Sequence, residues 1–150
     1  MIGDIVRPGV VEVELGTPLA DVLDRCGGPL PGRALRAAFS GISNPVLSAD
    51  QLATPLSHEA MQAVGSGLGA AGFVIYDDTV CMVEVARTLS RFLFVESCGQ
   101  CPPCKFGTGE ITAGLERIVT GGGSDADLAV IAERLQIVAD GNRCYLPVEE

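Results

Sequence analysis

The sequence predicts an α+β chain in two parts, a small strand-and-helix domain over residues 1–79 and an all-helical domain over residues 80–150. Three observations carry this expectation. Short apolar runs punctuated by turn residues fill the first half, as strands would. Apolar residues at three- and four-residue spacing fill the second, as helices require. Apolar residues make up 47% of the 150, enough to build a packed core and to exclude wholesale disorder.

Ile5 to Val13, with Pro8-Gly9 inside it, reads as two strands around a tight turn, Val11 and Val13 on one face and Glu12 and Glu14 on the other. Thr17-Pro18 reads as a helix start, because Thr can cap free N–H groups and Pro fits the first helical position. Leu19, Val22, Leu23 and Cys26 share one face of that helix, and Gly27-Gly28 stops it. A strand is expected over Leu35 to Phe39. Ser57 opens a short helix to Val64, and Phe73 to Tyr76 forms a last strand. Strands and helix in so short a span suggest a small α+β unit.

The helical half follows. Met82, Val85, Ala86, Leu89, Phe92 and Leu93 mark one buried stripe, with Thr79 as the cap and Asp77-Asp78 favouring the positive N-terminus. A second helix is expected from about Phe106 to Val119, with Ile111, Leu115 and Ile118 inward, ended by Gly121-Gly122-Gly123. Ser124 caps a third, lined by Leu128, Ile131, Leu135 and Val138. The sequence contains no internal repeat.

Ten basic against nineteen acidic residues give a formal net charge of -9. Nucleic-acid binding needs a basic stripe, so that class is excluded, as is docking to anionic lipid. No run approaches the roughly 20 apolar residues of a spanning helix, so direct membrane insertion is not expected. The N-terminus lacks a secretory pattern, and the expectation is a cytoplasmic chain. Six cysteines in that compartment read as metal ligands or buried thiols before disulfides.

The chemistry lies in Cys98-Gly99-Gln100-Cys101-Pro102-Pro103-Cys104, with Cys144 40 positions further on. Evenly spaced cysteines let one loop wrap an inorganic core and offer three thiolates, and ferredoxin-type sites draw a fourth from far along the chain. Gly99 permits close approach, Pro102 and Pro103 stiffen the loop, and Gly141 ends the third helix in time to return Cys144 to it. Zinc fits an evenly spaced triplet less well than paired Cys-x-x-Cys or Cys/His sets. Clustered buried thiols and a redox-active Cys-x-x-Cys pair are the remaining readings.

Glu96 to Thr108 resembles the iron–sulfur segment of the NADH- and flavin-binding subunit of NADH:quinone oxidoreductase, complex I, a segment shared with NAD-linked hydrogenase and formate dehydrogenase subunits. Gly3 to Gly28, with Arg7-Pro8-Gly9 and Gly16-Thr17-Pro18-Leu19, and Ser40 to Asp78 resemble that family's SLBB module, a ubiquitin-like β-grasp domain. The resemblance implies that Cys98, Cys101, Cys104 and Cys144 hold a [4Fe–4S] cluster. It implies that the cluster takes electrons from FMN reduced by NADH and passes them to an iron–sulfur partner subunit. It also allows a peripheral position on the cytoplasmic face of a membrane, through a complex.

Pro102 stands where the family commonly has Thr, Lys105-Phe106 where Arg-Glu is common, and Asn142 to Pro147 replaces a segment with small residues after the cysteine. The family's Gly-rich FMN and NADH module does not occur in these residues. The chain is therefore expected to be a truncated relative, not catalytic alone. A small carrier borrowing its flavin from another chain is the next reading. A non-redox binding or scaffold module with a structural metal is the alternative from a different class.

Other features are read more plainly. Gly67-Leu68-Gly69-Ala70-Ala71-Gly72 matches a dinucleotide fingerprint, but with helix and strand in reverse order, so a tightly packed or flexible connection is expected. Cys26 and Cys81 are expected in the core and His58 on the surface. Lys105 and Arg143 neighbour ligands, where a cation would raise a cluster's potential. The other reading is a solvated cation. Glu96 is expected to cap or face solvent.

Overall fold

A computed structural model describes residues 1–150. The chain divides into two compact units, Met1–Val80 and Cys81–Glu150.

The first unit is a four-stranded sheet with two short helices. Its strands are β1 (Ile2–Gly3), β2 (Leu35–Phe39), β3 (Leu47–Ser48) and β4 (Val74–Asp77), and its helices are α1 (Leu19–Arg25) and α2 (His58–Ala63). The spatial order is β1-β4-β2-β3. First and last strands pair in parallel, Ile2 opposite Val74, while β2 is antiparallel to both β3 and β4. A parallel first-to-last pair with the helix packed on one face is the frame of a β-grasp domain. Leu19, Val22 and Leu23 from α1, with Cys26 at its C-terminal end, meet Ala38, Leu47 and Ile75 from the sheet and Met61 from α2 in one core.

Three expectations for this unit need correction. Residues 6–14 form no hairpin. Val6 and Arg7 give their N–H groups to Gly28 O and Cys26 O, at 3.1 and 2.8 Å, so the segment is spent on the turn after α1. Val11 and Val13 pack against the core without a strand partner. Thr17 does not cap α1. Its hydroxyl donates to Glu14 O at 2.7 Å, and the first-turn N–H groups of Leu19 and Ala20 reach Thr54 O and Leu52 O instead. Asp77-Asp78 and Thr79 do not cap the next helix either. Asp77 is 2% exposed and accepts from the hydroxyl and N–H of Thr79, while Asp78 accepts from Ala34 N–H.

The expected Ser57 cap is present, its side chain accepting from Ala60 N–H. Gly27 and Gly28 end α1 at positive φ, 86° and 73°, a region glycine enters without steric cost. The glycine-rich run after α2 is a packed connection. A side chain at Gly67 would meet Asn44 Oδ1 at 2.1 Å, and Ser40 Oγ donates to Gly67 O at 2.7 Å.

The second unit holds three helices, α3 (Met82–Glu96), α4 (Pro102–Val119) and α5 (Asp125–Ile137), with a short 3-10 turn over Leu146–Val148. No helix is long and apolar enough to cross a membrane. α4 packs against both neighbours through small residues. A side chain at Gly109 would meet the Phe94 ring on α3 at 3.0 Å, one at Gly107 would meet Val138 at 2.9 Å, and one at Gly114 would meet Ile131 on α5 at 3.0 Å.

The inward faces differ from the expected stripes. On α3, Leu93 and Ser90 are buried, whereas Phe92 is 51% exposed and Ala86 is exposed. On α5, Leu128 and Leu135 face out, and the buried positions flanking Ile131 are Asp127 and Val138. Asp127 accepts from the N–H and hydroxyl of Ser124, completing the expected start of α5. It also binds Arg117 of α4, Nε to Oδ1 at 2.7 Å. Serine and arginine together hold its carboxyl below the usual aspartate range.

Candidate metal centre

α3 ends in time to release the first cysteine. Ser97 is its C-cap, donating its N–H to Leu93 O at 3.0 Å before the chain turns extended at ψ 119°. Cys98 follows, and Gly99 takes φ +79°, a conformation that lets two residues fold the backbone back towards Cys101. Cys101 is the N-cap of α4, and Pro102 and Pro103 fill its first positions, where a missing N–H costs nothing and a fixed φ suits the helix.

The expected loop is therefore shorter than its spacing suggests. Cys104 lies in the first turn of a helix that begins at Pro102, not Phe106. Its main-chain carbonyl accepts from the fully buried Thr108 hydroxyl at 2.8 Å.

Cys144 comes back from the other end of the unit. α5 ends at Ile137, Gly141 turns at φ +63°, and Asn142 Nδ2 donates to Cys144 O at 2.8 Å. Across the gap, Arg143 Nη1 donates to Gln100 Oε1 at 3.4 Å, joining the returning segment to the cysteine loop.

All four expected cysteines line one cavity of about 120 Å³, walled by Leu146 and Pro147 and edged by Glu96, Ser97 and Asn142. Cys104 is buried, Cys101 half-buried, and Cys98 and Cys144 exposed. Four cysteine thiols on one cavity are the donor set of a tetrahedral zinc as well as of a four-cornered iron–sulfur core. In such a core each corner takes one sulfur.

The remaining candidates separate cleanly. Cys26 is 2% exposed in the first unit's core. Cys81 does not lie in a core, contrary to expectation, but is exposed at the N-cap of α3. His58 is exposed in α2, and Glu96 is exposed on the cavity's edge.

Lys105 is not a loosely solvated cation. Its Nζ donates to Phe94 O at 2.7 Å and Ser97 O at 3.3 Å and lies 4.2 Å over the Phe94 ring. It thus neutralises the carbonyl end of α3, where a positive charge is favoured. Three residues at the site carry no distinct signal in the sequence. Gln100 bridges to Arg143, Thr108 braces the turn under Cys104, and Ser97 places Oγ 3.2 Å from Cys104 Sγ. Ser97 and Gln100 adjoin ligand candidates in the chain. That adjacency is the one available clue.

Both units are similar to known proteins. Residues 84–149 match the family described as the NADH-ubiquinone oxidoreductase-F iron-sulfur binding region, and residues 1–40 match the SLBB domain. Among curated relatives, the second of the F-type NADH-quinone oxidoreductase subunits of Rhizobium meliloti (strain 1021) is 37% identical over 93% of this chain and 32% of its own length. The F-type NADH-quinone oxidoreductase subunit of Mycobacterium bovis is 39% identical over 96% of this chain and 33% of its own. The chain thus spans about a third of the length of these relatives. Among solved structures, an NAD+-reducing [NiFe]-hydrogenase in the H2-reduced state superposes with a TM-score of 0.84 at 30% identity, over 99% of this chain and 25% of that one.

Proposed function

The chain belongs to the NADH-ubiquinone oxidoreductase-F iron–sulfur family, and from that premise we propose that it carries electrons through a [4Fe–4S] cluster held by Cys98, Cys101, Cys104 and Cys144. The observation that carries this reading is the convergence of those four side chains on one cavity, three from a single bend and one from 40 positions away. When bound, the cluster supplies one-electron chemistry, accepting and releasing a single electron at a time.

The protein's own residues determine how that chemistry is housed. Cys98 and Cys144, being exposed, form the accessible side of the site, and Cys104 its buried floor. Leu146 and Pro147 keep water from one wall. Lys105, fixed to the end of α3, holds the loop's entry, while Gln100 and Arg143 hold its return. The electron donor in this reading is a flavin reduced by NADH on a separate module, and the acceptor is an iron–sulfur partner protein. The setting is a cytoplasmic or peripheral membrane complex. The 150 residues alone supply no flavin chemistry in this reading and reduce no acceptor from NADH unaided.

Metal analysis after anaerobic purification tests the proposal. The expected product is brown and oxygen-sensitive, with about four irons and four labile sulfides per chain, as a [4Fe–4S] core requires. A colourless product carrying zinc would replace it with a structural-metal module.

A further inference from the structure

We propose that the Ser97 hydroxyl donates a hydrogen bond to the ligating sulfur of Cys104 and thereby raises the reduction potential of the site. The inference rests on the cluster reading above and adds a tuning residue to it.

Ser97 Oγ lies 3.2 Å from Cys104 Sγ, and both residues are buried, at 8% and 6% exposure. With a free thiol, either atom can donate. A ligating cysteine is a thiolate and has no proton to give, so in the loaded site the hydroxyl is the donor.

Its position is fixed on both sides. The Ser97 N–H is held by Leu93 O at 3.0 Å, and its carbonyl accepts from Lys105 Nζ at 3.3 Å. Lys105 follows Cys104 in the same turn of α4, so one side chain ties the donor's backbone to the acceptor's helix. The hydroxyl is in place before any charge arrives.

Burial makes this bond matter more than an equivalent one at Cys98 or Cys144. Those cysteines are exposed, so water can hydrogen-bond their sulfurs and replace a lost protein donor. Around Cys104 there is little access for that replacement. Reduction adds one electron and makes the ligating sulfurs more negative. A fixed O–H dipole aimed at one of them in a poorly solvated place favours the reduced state.

The test is a redox titration, followed by electron paramagnetic resonance, of the anaerobically purified chain and three variants. Ser97→Ala and Ser97→Val remove the hydroxyl. Ser97→Thr keeps it, and Thr and Val share one shape. The expected result is a tenfold fall in the ratio of reduced to oxidised sites at fixed potential for Ala and Val, about 59 mV in midpoint for one electron. Thr should stay near the parent.

Unchanged midpoints in Ala and Val, or a Thr midpoint as low as that of Val, overturn the proposal. Loss of iron from every variant lacking the hydroxyl also overturns it, because Ser97 would then build the site and not tune it. Iron and sulfide analysis of the parent decides the cluster reading separately. A parent with normal iron and an indifferent Ser97→Val leaves the cluster standing and removes only the hydrogen bond.

Discussion

Fourteen aliphatic, aromatic and sulfur-bearing side chains are buried in Met1–Val80, against five in Cys81–Glu150 (Leu93, Cys104, Ile111, Val138 and Pro147), although the units are similar in length. The first is held by apolar burial, with Leu19, Leu47 and Met61 fully enclosed. The second relies on polar links between helices. Ser90 meets Thr112 at 2.8 Å, Arg87 meets Glu116 at 3.0 Å, Arg117 holds Asp127, and Arg134 pairs with Glu110. Ion pairs with one partner exposed to solvent, as these three have, contribute about 0–1 kcal/mol each. One of the five buried apolar side chains, Cys104, is itself a proposed ligand. A unit so short of core gains much of its order from whatever its cysteines bind, because metal affinity in such a unit is also folding energy.

The strongest break of that contrast is loss of the metal. Cys144→Ser should strip the iron and lower amide-exchange protection across α3, α4 and α5 while protection in β2 and β4 stays unchanged. Hydrogen exchange read by mass spectrometry checks this, and a full complement of iron in the variant would remove Cys144 from the ligand set.

The reverse break is Leu19→Ala. Truncating a fully enclosed leucine should destabilise the first unit by about 2–5 kcal/mol with the iron content unaltered. Thermal denaturation beside metal analysis separates the two effects.

Acid should act on both units through different residues. Asp77 is held below the ordinary aspartate value of 3.8 first by the Thr79 hydroxyl and N–H, with a smaller contribution from Arg33. Asp127 is held down by Ser124 and then Arg117. A lowered carboxyl stabilises the fold above its unfolded value, and that contribution is lost as pH falls through the folded one. Asp127→Asn should flatten the acid limb of the helical unit alone, and Asp77→Asn that of the first unit alone. Circular dichroism of the helices and, in a Tyr145→Phe background, tyrosine fluorescence from Tyr76 follow the two.

One titrating group acts with the opposite sign. Burial raises Glu150 from 4.5 to about 7, partly offset by the Ser90 hydroxyl. Its Oε2 is buried without a partner. A raised carboxyl stabilises fully below its unfolded value of 4.5, and its contribution fades as pH rises through about 7. Glu150→Gln should remove that slope from the helical unit and leave the first unit's pH profile untouched.

Much of the fold is legible in the sequence where local chemistry decides structure. Leu35–Phe39 reads as a strand and is one, and Ser57, Ser124 and the glycines after α1 and α4 mark helix ends where their chemistry suggests. What is not legible depends on distant partners. β3 is two residues long and exists only because Ala37 and Ala38 pair with it. The alternation of Val11 and Val13 resembles a strand, yet the two side chains pack on the core from a segment that pairs with no strand. On α5, apolar residues cover more than one face, and the inward one is chosen by Asp127 reaching Arg117 and Val138 meeting Gly107. The cysteine spacing announces the site. The Ser97 contact has no such signature, because it needs α4 folded back against the end of α3.

X-ray absorption at the iron edge of the anaerobically purified chain distinguishes a cluster from isolated ions. A four-cornered core gives a shell of sulfur around each iron and, beyond it, a second shell of iron neighbours, both lost together in Cys144→Ser. Iron with sulfur or nitrogen ligands but no iron neighbour would mean isolated ions, and the four-cornered core would have to be given up.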